Sequence, residues 1–294
     1  MIAAITVTYN AISAGVFLKF LDSIVPLLGS NVRLIIVDNS SSDDTRNFLS
    51  NFSSPFVDVI LNDVNVGFGC ACNQAARFSE RYSPDRFLFI NNDVFLTGDP
   101  IVALSESLDS QGGGAISPVI IYADGTQKIW YEGGVFSSLR GIINYHLKQG
   151  RVRTSGKFGV ARTQFAPACV FLIDRLAFED VGGFDERFFV YWEDADLCLQ
   201  LIRRGYSIYL DYEVIVEHVV SATTGGARSE FSIVMNCKNH IIFVRKNMGY
   251  LSAIFAASMS IAKWTLRLLT GQETVRNSLL AYRSVLSGLA ASVG

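Results

Sequence analysis

The stretch RFLFINNDVFL, Arg86 to Leu96, decides how the chain is read. Phe87 to Ile90 has the apolar density of a buried strand, yet it runs directly into Asn91-Asn92-Asp93. Two amides and a carboxylate at the end of such a strand either close a turn or hold a ligand. An amide oxygen and a carboxylate at i and i+2 suit a hard cation, Mg²⁺ or Mn²⁺, with diphosphate oxygens as further ligands. The other reading is an Asx turn that caps the strand. Both stand on these residues alone.

Upstream, the pattern alternates. Ile2 to Tyr9, Val32 to Val37 and Val57 to Leu61 are rich in β-branched residues and read as strands. Ala11 to Leu28 and Cys70 to Tyr82 carry helical apolar spacing, and SSSDDT (40–45) offers N-caps to a helix between them. This β-α-β-α-β-α-β order predicts an α/β fold: a Rossmann-like, mostly parallel central sheet flanked by helices. Ligands in such sheets sit beyond the C-terminal strand ends. The polar clusters fall there: Thr8-Tyr9-Asn10, Asp38-Asn39, Asn62 to Asn65, and Asn91 to Asp93. Asp38 reads as a ribose or base contact, or as an N-cap. NVGFGCACN (65–73) has GxG without the third glycine of a dinucleotide fingerprint and follows the third strand, not the first. Its glycines permit close backbone approach to a ligand, or a tight turn.

Downstream, Gly112 to Gly159 is glycine-rich and weakly periodic, a region of short strands and loops. Trp192 to about Arg204 predicts a helix closed by Gly205. It opens on Glu193-Asp194-Ala195-Asp196, acids that a helix N-terminus favours. At helical spacing Glu193 and Asp196 share a face and Asp194 points elsewhere. They follow the aromatic run FFVYW (188–192), which could wall a pocket and give a carboxylate the setting of a general base. His218 ends a strand ahead of a Ser/Thr/Gly loop and reads as structural, or as a metal or phosphate contact.

The bulk properties set limits. The 294 residues carry a formal charge of −2 and a mean hydropathy of +0.30, enough for one large domain plus an appendage. From Lys238 onward seven Lys/Arg face one acid, Glu273, for +6; the preceding residues carry 18 basic and 26 acidic side chains, for −8. An apolar tail with spaced cations fits an anionic membrane surface better than nucleic acid. Residues 248–270 are apolar but interrupted by Lys263 and Arg267, too short a run to span a bilayer. Ser252, Ala256, Ser260, Lys263 and Arg267 form a small-or-polar stripe, which predicts an interfacial helix, or one packed on the core or on a second copy in a homodimer. Val275 to Ala291 reads as a second amphipathic helix. The five cysteines show no CxxC or zinc spacing and read as reduced and cytosolic. MIAAITVTYN lacks the charged n-region of a signal peptide.

VTYN (7–10), VDNSSSDDT (37–45), NVGFGCACN (65–73), FINNDV (89–94), GGFDERFFVYWEDADLCLQLIRRGY (182–206) and Glu217-His218, in this order, resemble the family 2 glycosyltransferases with a GT-A fold. Within them the chain is most similar to rhamnosyltransferases of bacterial surface polysaccharide synthesis. The resemblance implies a catalytic domain over 1–237, a C-terminal helical extension over 238–294, and inverting transfer of a sugar from a dTDP- or UDP-linked donor to a glycan or lipid-linked acceptor. It implies that Thr8, Tyr9, Asn10, Asp38, Asn39, Asn65, Gly67, Asn73, Asn91 and Asn92 lie on the nucleotide and donor side. Asp93 and His218 would hold Mg²⁺ or Mn²⁺, Asp194 would be the base, and Trp192 and Glu193 would line the sugar pocket. Asn91 stands where the family has its usual first aspartate, which implies weaker metal affinity. A nucleotidyltransferase lacks support because Tyr9-Asn10-Ala11 replaces its glycine-rich loop, and a Rossmann oxidoreductase fails for the same want of glycines. The rival from another class is a non-catalytic, membrane-attached assembly subunit that keeps the fold.

Overall fold

The computed structural model describes residues 1–138, 141–154, 156–220 and 229–291. The chain divides into two compact units. One comprises Met1–Val135, His146–Phe189 and Glu193–Thr223; the other comprises Phe136–Tyr145, Val190–Trp192 and Thr224–Gly294.

The first unit opens with the predicted alternation. β1 (Ile2–Thr8), α1 (Phe17–Ile24), β2 (Val32–Asp38), α2 (Thr45–Asn51), β3 (Val57–Leu61), α3 (Phe68–Ser79) and β4 (Arg86–Ile90) follow in order. The strands run parallel in the spatial order β3-β2-β1-β4. The register sets Thr8 beside Asp38 and Asp38 beside Leu61, so the polar residues after each strand emerge along one edge. α1 is shorter than its apolar pattern. Asn10 at φ +52° and Gly15 at φ +74° turn the chain before it, and Pro26 lies in a 3-10 turn after it. The serines and aspartates ahead of α2 do not cap it through Asp44. Asp43 Oδ1 accepts from Thr45 N at 3.0 Å in its place, and the run also ties the loops together: Asn10 Oδ1 accepts from Ser42 N at 2.8 Å, and Asp43 Oδ2 from Ser13 N at 2.8 Å.

β5 (Val94–Phe95), α4 (Pro100–Ser110), β6 (Ala115–Tyr122), β7 (Ile129–Tyr131), β8 (Gly134–Ser137), β9 (Ile143–His146), β10 (Val160–Thr163), β11 (Val170–Asp174), α5 (Arg175–Asp180), α6 (Glu193–Arg203) and β12 (Ile208–His218) follow. The sheet continues beyond β4 as β4-β11-β6-β12-β10. β11 is antiparallel to both neighbours, and β6 and β12 are parallel to each other. β8 and β9 pair separately. β6 is a full, buried strand in the stretch expected to hold only short ones. Pro118 hides it, because proline cannot donate to a ladder. The partner strand adapts: β12 shifts register between Asp211 and Ile215, just past the Pro118 pairing. The core lies along the sheet faces, where Phe89 packs on Phe178 and Phe184 with ring centroids 5.1 and 4.8 Å apart.

The second unit is built from α7 (Glu230–Met248), α8 (Tyr250–Leu269) and α9 (Val275–Ala290), which pack on one another. α7 spans the boundary expected at 237/238. A Cβ on Gly288 would lie 2.6 Å from Lys238 O, so glycine lets α9 approach α7 closely. α8 buries Ala253, Ala256, Ala257 and Trp264. Its small residues therefore face inward, and the expected stripe borders the packed side. The opposite face carries Leu251, Ile254, Phe255, Met259, Leu266 and Leu269, all exposed. Among the described residues, no helix is long and apolar enough to cross a membrane.

Candidate active site

Asp38, at the end of β2, is fully buried. Burying a carboxylate demands partners, and it has them. Thr8 Oγ1 donates to its Oδ1 at 3.3 Å, Ser41 N donates to Oδ2 at 3.1 Å, and the Ser41 hydroxyl donates as well. Arg46 stands 3.9 Å away. Asn39 extends the network: its Nδ2 donates to Asn65 Oδ1 at 2.9 Å and Gly67 O at 3.1 Å, and its Oδ1 accepts from Asn62 and from Val66 N. One scaffold thus fixes the loops after β1, β2 and β3. Tyr9 lies beside it, 41% exposed, with its ring open to solvent.

The Asn91–Asp93 turn is bound from several directions. Asn91 N donates to Cys169 O at 2.9 Å, and Asn92 Nδ2 donates to Val7 O at 3.0 Å. β5 then pairs with β12, setting Val94 opposite His218, and Val219 N donates to Asp93 O. His218 Nε2 comes 3.0 Å from Asp93 Oδ1, yet both atoms are buried and neither makes a hydrogen bond. Two unpartnered lone-pair donors this close fit a shared cation. Neighbouring ligands of an octahedral ion at 2.0–2.1 Å lie about 3 Å apart. Among the described residues no group of three or more His, Cys, Asp and Glu gathers as a metal cage. Such a cation would therefore need oxygens from a ligand or water.

The sequence reading did not find Trp130. Its ring meets His218 nearly edge-on at 4.7 Å and His146 at 4.7 Å on another side. His146 Nδ1 donates to Trp130 O at 2.8 Å. Burial pushes the His146 pKa down, so it stays neutral. The Trp130 ring packs against His218, whose Nε2 also lies 3.0 Å from Asp93 Oδ1. Trp130 sits in the weakly periodic segment, where no motif marks it.

Asp194 opens α6 as predicted, partly buried, while Glu193 and Asp196 are both buried. Ala195 N donates to Asp194 Oδ1 at 2.7 Å. Burial raises the Asp194 pKa to about 6, against the main-chain N–H groups of Ala195 and Ala168, which lower it. Burial, reinforced by the charge on Asp194, pushes Glu193 well above the usual carboxylate range, and its Oε2 has no hydrogen-bond partner. Cys169 precedes β11, and its main-chain oxygen accepts from Asn91 N. Burial raises its thiol, and the charges of both Asp93 and Asp194 raise it further.

Gly67 and Asn73 serve the scaffold. Gly67 has φ +87°, and a Cβ there would lie 2.5 Å from Phe189 O; Phe68 N donates to that same carbonyl at 2.7 Å. Asn73 is buried with its amide engaged, donating to Phe184 O and Glu186 and accepting from Phe184 N. It holds the Gly182–Phe184 turn against α3. Trp192 belongs to the other unit, where it stacks on His240 at 4.6 Å. The loop from Ser221 after His218 lies outside the described residues.

Over 289 aligned residues the chain is 26% identical to the N-acetylglucosaminyl-diphospho-decaprenol L-rhamnosyltransferase of Mycobacterium tuberculosis, covering 91% of this chain and 89% of that protein. The dTDP-rhamnosyl transferase RfbF of Shigella flexneri is 23% identical over 220 residues, 74% of this chain and 69% of that one. The solved structure of GalNAc-T7 with UDP, GalNAc and Mn²⁺ superposes with a TM-score of 0.63 at 13% identity, covering 97% of this chain and about half, 54%, of that chain. That likeness identifies the fold as GT-A-like. The model of glycosyl transferase family 2 matches residues 3–180, from β1 through α5. The chain belongs to glycosyl transferase family 2.

Proposed function

We propose that the chain is an inverting rhamnosyltransferase. It moves L-rhamnose from dTDP-rhamnose to a hydroxyl of a lipid-linked glycan precursor in cell-surface polysaccharide synthesis. The observation that carries this is the buried Asp93–His218 pair, 3.0 Å apart with neither facing atom hydrogen-bonded, together with Asp194 at the start of α6, whose pKa burial raises to about 6. The activities of the two rhamnosyl relatives suggest the sugar and the class of acceptor.

Thr8, Asp38 and Asn39 hold the edge on which the nucleoside lies, and Tyr9 offers its exposed ring to the base. Asp93 and His218 are the residues that would hold Mg²⁺ or Mn²⁺, which when bound offsets charge on the diphosphate as it leaves. Asp194 accepts the proton of the acceptor hydroxyl as that oxygen attacks the anomeric carbon. A single displacement inverts the centre. Glu193 stays protonated beside it, so the pocket carries one negative charge rather than two. Residues 1–237 carry this chemistry. The 238–294 extension places the chain on the inner face of the cytoplasmic membrane, where a lipid-linked acceptor is presented.

The test is thermal melting with dTDP, UDP, GDP and NAD, each with and without Mn²⁺, followed by turnover of dTDP-rhamnose with a short-chain N-acetylglucosaminyl-diphospho-lipid. A bound ligand raises the melting temperature by mass action. The expected result is a Mn²⁺-dependent shift for dTDP, release of dTDP, and a product of inverted anomeric configuration by NMR. No shift with any nucleotide and no release would return the chain to a scaffold role.

A further inference from the structure

Trp130 reaches the site through an irregularity in the sheet. β7 runs antiparallel to β6, with Ile120 opposite Tyr131 and Ile121 opposite Ile129. Trp130 is the residue left over, with no residue of β6 opposite it. Such a bulge bends the strand and re-aims a side chain. On its other side β6 pairs with β12, which sets His218 beside Tyr122. Trp130 and His218 thus stand two strands apart, about 10 Å of main-chain separation at ordinary strand spacing. A small side chain at 130 would not close that gap. The indole does: its ring centroid lies 4.7 Å from that of His218, with the planes at 80°.

The bulge is held in place from several sides, all within the first compact unit. Trp130 O accepts from His146 Nδ1 at 2.8 Å, which gives the carbonyl of the extra residue a partner outside the ladder. The His146 ring meets the indole at 4.7 Å and stacks on Phe165 at 5.7 Å. After the bulge, Tyr131 is fully buried and its hydroxyl donates to Phe165 O at 2.8 Å. Before it, Ile129 N donates to Arg151 O and Ile129 O accepts from Gly150 N, both at 2.8 Å. The indole is therefore offered to His218 from a fixed base.

A histidine that binds a metal ordinarily donates its second ring N–H to a carboxylate or carbonyl, which fixes the plane of the ring. His218 Nδ1 is buried and has no hydrogen-bond partner among the described residues. Its Nε2 faces Asp93 Oδ1, the pair that would hold the cation. With that pair given to a cation, packing is what remains to fix the imidazole, and Trp130 supplies a ring contact. We propose that Trp130 is a positioning residue for His218: the bulge in β7 aims the indole, and the indole holds the imidazole plane where a hydrogen bond ordinarily would. This rests on Asp93 and His218 being the residues that hold Mg²⁺ or Mn²⁺.

The test uses the full chain and four variants: Trp130→Ala, Trp130→Leu, His218→Ala, and Trp130→Leu with His218→Ala. Electron paramagnetic resonance of free Mn²⁺, titrated into protein saturated with dTDP, gives the Mn²⁺ dissociation constant. Turnover of dTDP-rhamnose gives kcat and donor KM. Trp130→Ala is expected to weaken Mn²⁺ binding about 10- to 100-fold, the scale of losing a group that orients a metal ligand, and the lost kcat should return as Mn²⁺ is raised. Trp130→Leu keeps apolar volume without the ring; it should weaken Mn²⁺ binding likewise, and it decides the matter if Trp130→Ala does not fold. With His218 already replaced, Trp130→Leu should cost no further Mn²⁺ affinity, because the cycle isolates what passes through the pair. A merely structural tryptophan would cost the same in both backgrounds, and that result overturns the inference. So does an unchanged Mn²⁺ constant in Trp130→Leu, whether donor KM stays or rises; a rise would make Trp130 a substrate contact. Mn²⁺ binding that His218→Ala does not weaken overturns the assignment of the metal ligand instead. Weakening by His218→Ala beside an unaffected Trp130→Leu overturns the positioning role alone.

Discussion

Asp194 has to be charged to accept a proton, and its surroundings resist that charge. A pKa of about 6 puts the transition inside the working range. Transfer should therefore be weak at pH 5, rise through a midpoint near 6 and level off above 7, and a kcat–pH profile checks this. The same shift has a stability sign. The folded state binds this proton more tightly than the unfolded chain, so ionisation destabilises the fold above about pH 6, and the penalty fades as pH falls toward 4. Asp194→Asn should abolish transfer, keep the dTDP melting shift, and raise stability at pH 8 by up to roughly 3 kcal/mol, the worth of a two-unit shift; denaturant unfolding at pH 8 and pH 4 checks both ends. Asp93→Ala and His218→Ala should each leave melting without nucleotide near wild type while removing the Mn²⁺-dependent part of the dTDP shift. At this scale the sequence was legible where polar residues cluster, as at Asn91–Asp93 and Glu193–Asp194. It does not show that the Asn73 amide is engaged by the Gly182–Phe184 turn and Glu186. It was silent at Trp130 and Cys169, whose significance comes only from what folding sets beside them.

Elements were read best where they repeat. The four parallel strands follow β-branched runs, and their ends carry the polar residues as the parallel sheet requires. Two local devices resisted reading. Pro118 concealed β6, because the accommodation lies in another strand, at the register shift of β12. SSSDDT looked like a helix start and does two jobs: Asp43 Oδ1 accepts from Thr45 N at the start of α2, while Asp38 and Asn10 accept from the main-chain N–H groups of Ser41 and Ser42 and tie the loops together. GxG after β3 could be read as a ligand cradle or a turn, and the backbone answers it. Gly67 is where Phe189 O passes too close for any Cβ. Gly67→Ala should therefore cost roughly 3 kcal/mol, from left-handed strain plus displaced backbone. A drop in melting temperature together with loss of turnover is the expected outcome, and an unaltered melt would mean that the 189 segment yields.

For the molecule as a whole, the charge asymmetry and the apolar tail were legible, but the sense of the helix was not. Periodicity shows that α8 has two faces; only packing shows which is buried. The small residues went inward, leaving Leu251 and Leu269 about 80% exposed, at 83% and 79%, on a face whose border carries Lys263 and Arg267. Such a face suits the boundary of an anionic bilayer. Full-length protein should float with phosphatidylglycerol-containing vesicles, and Leu251→Ser with Leu266→Ser and Leu269→Ser should release it without loss of nucleotide binding. Equal flotation of the variant would remove α8 as the contact, and a shift in oligomeric state would assign the face to a second copy. The grouping of Val190–Trp192 with the C-terminal helices has a practical side. Anyone recombining this chain with a relative to change its acceptor by a seam between β12 and α7 would separate the 190–192 link from the helix that fits it. The link and α7 have to be exchanged together, so a library that varies one alone forfeits the bonds from Asn239 to the carbonyls of Val190 and Tyr191.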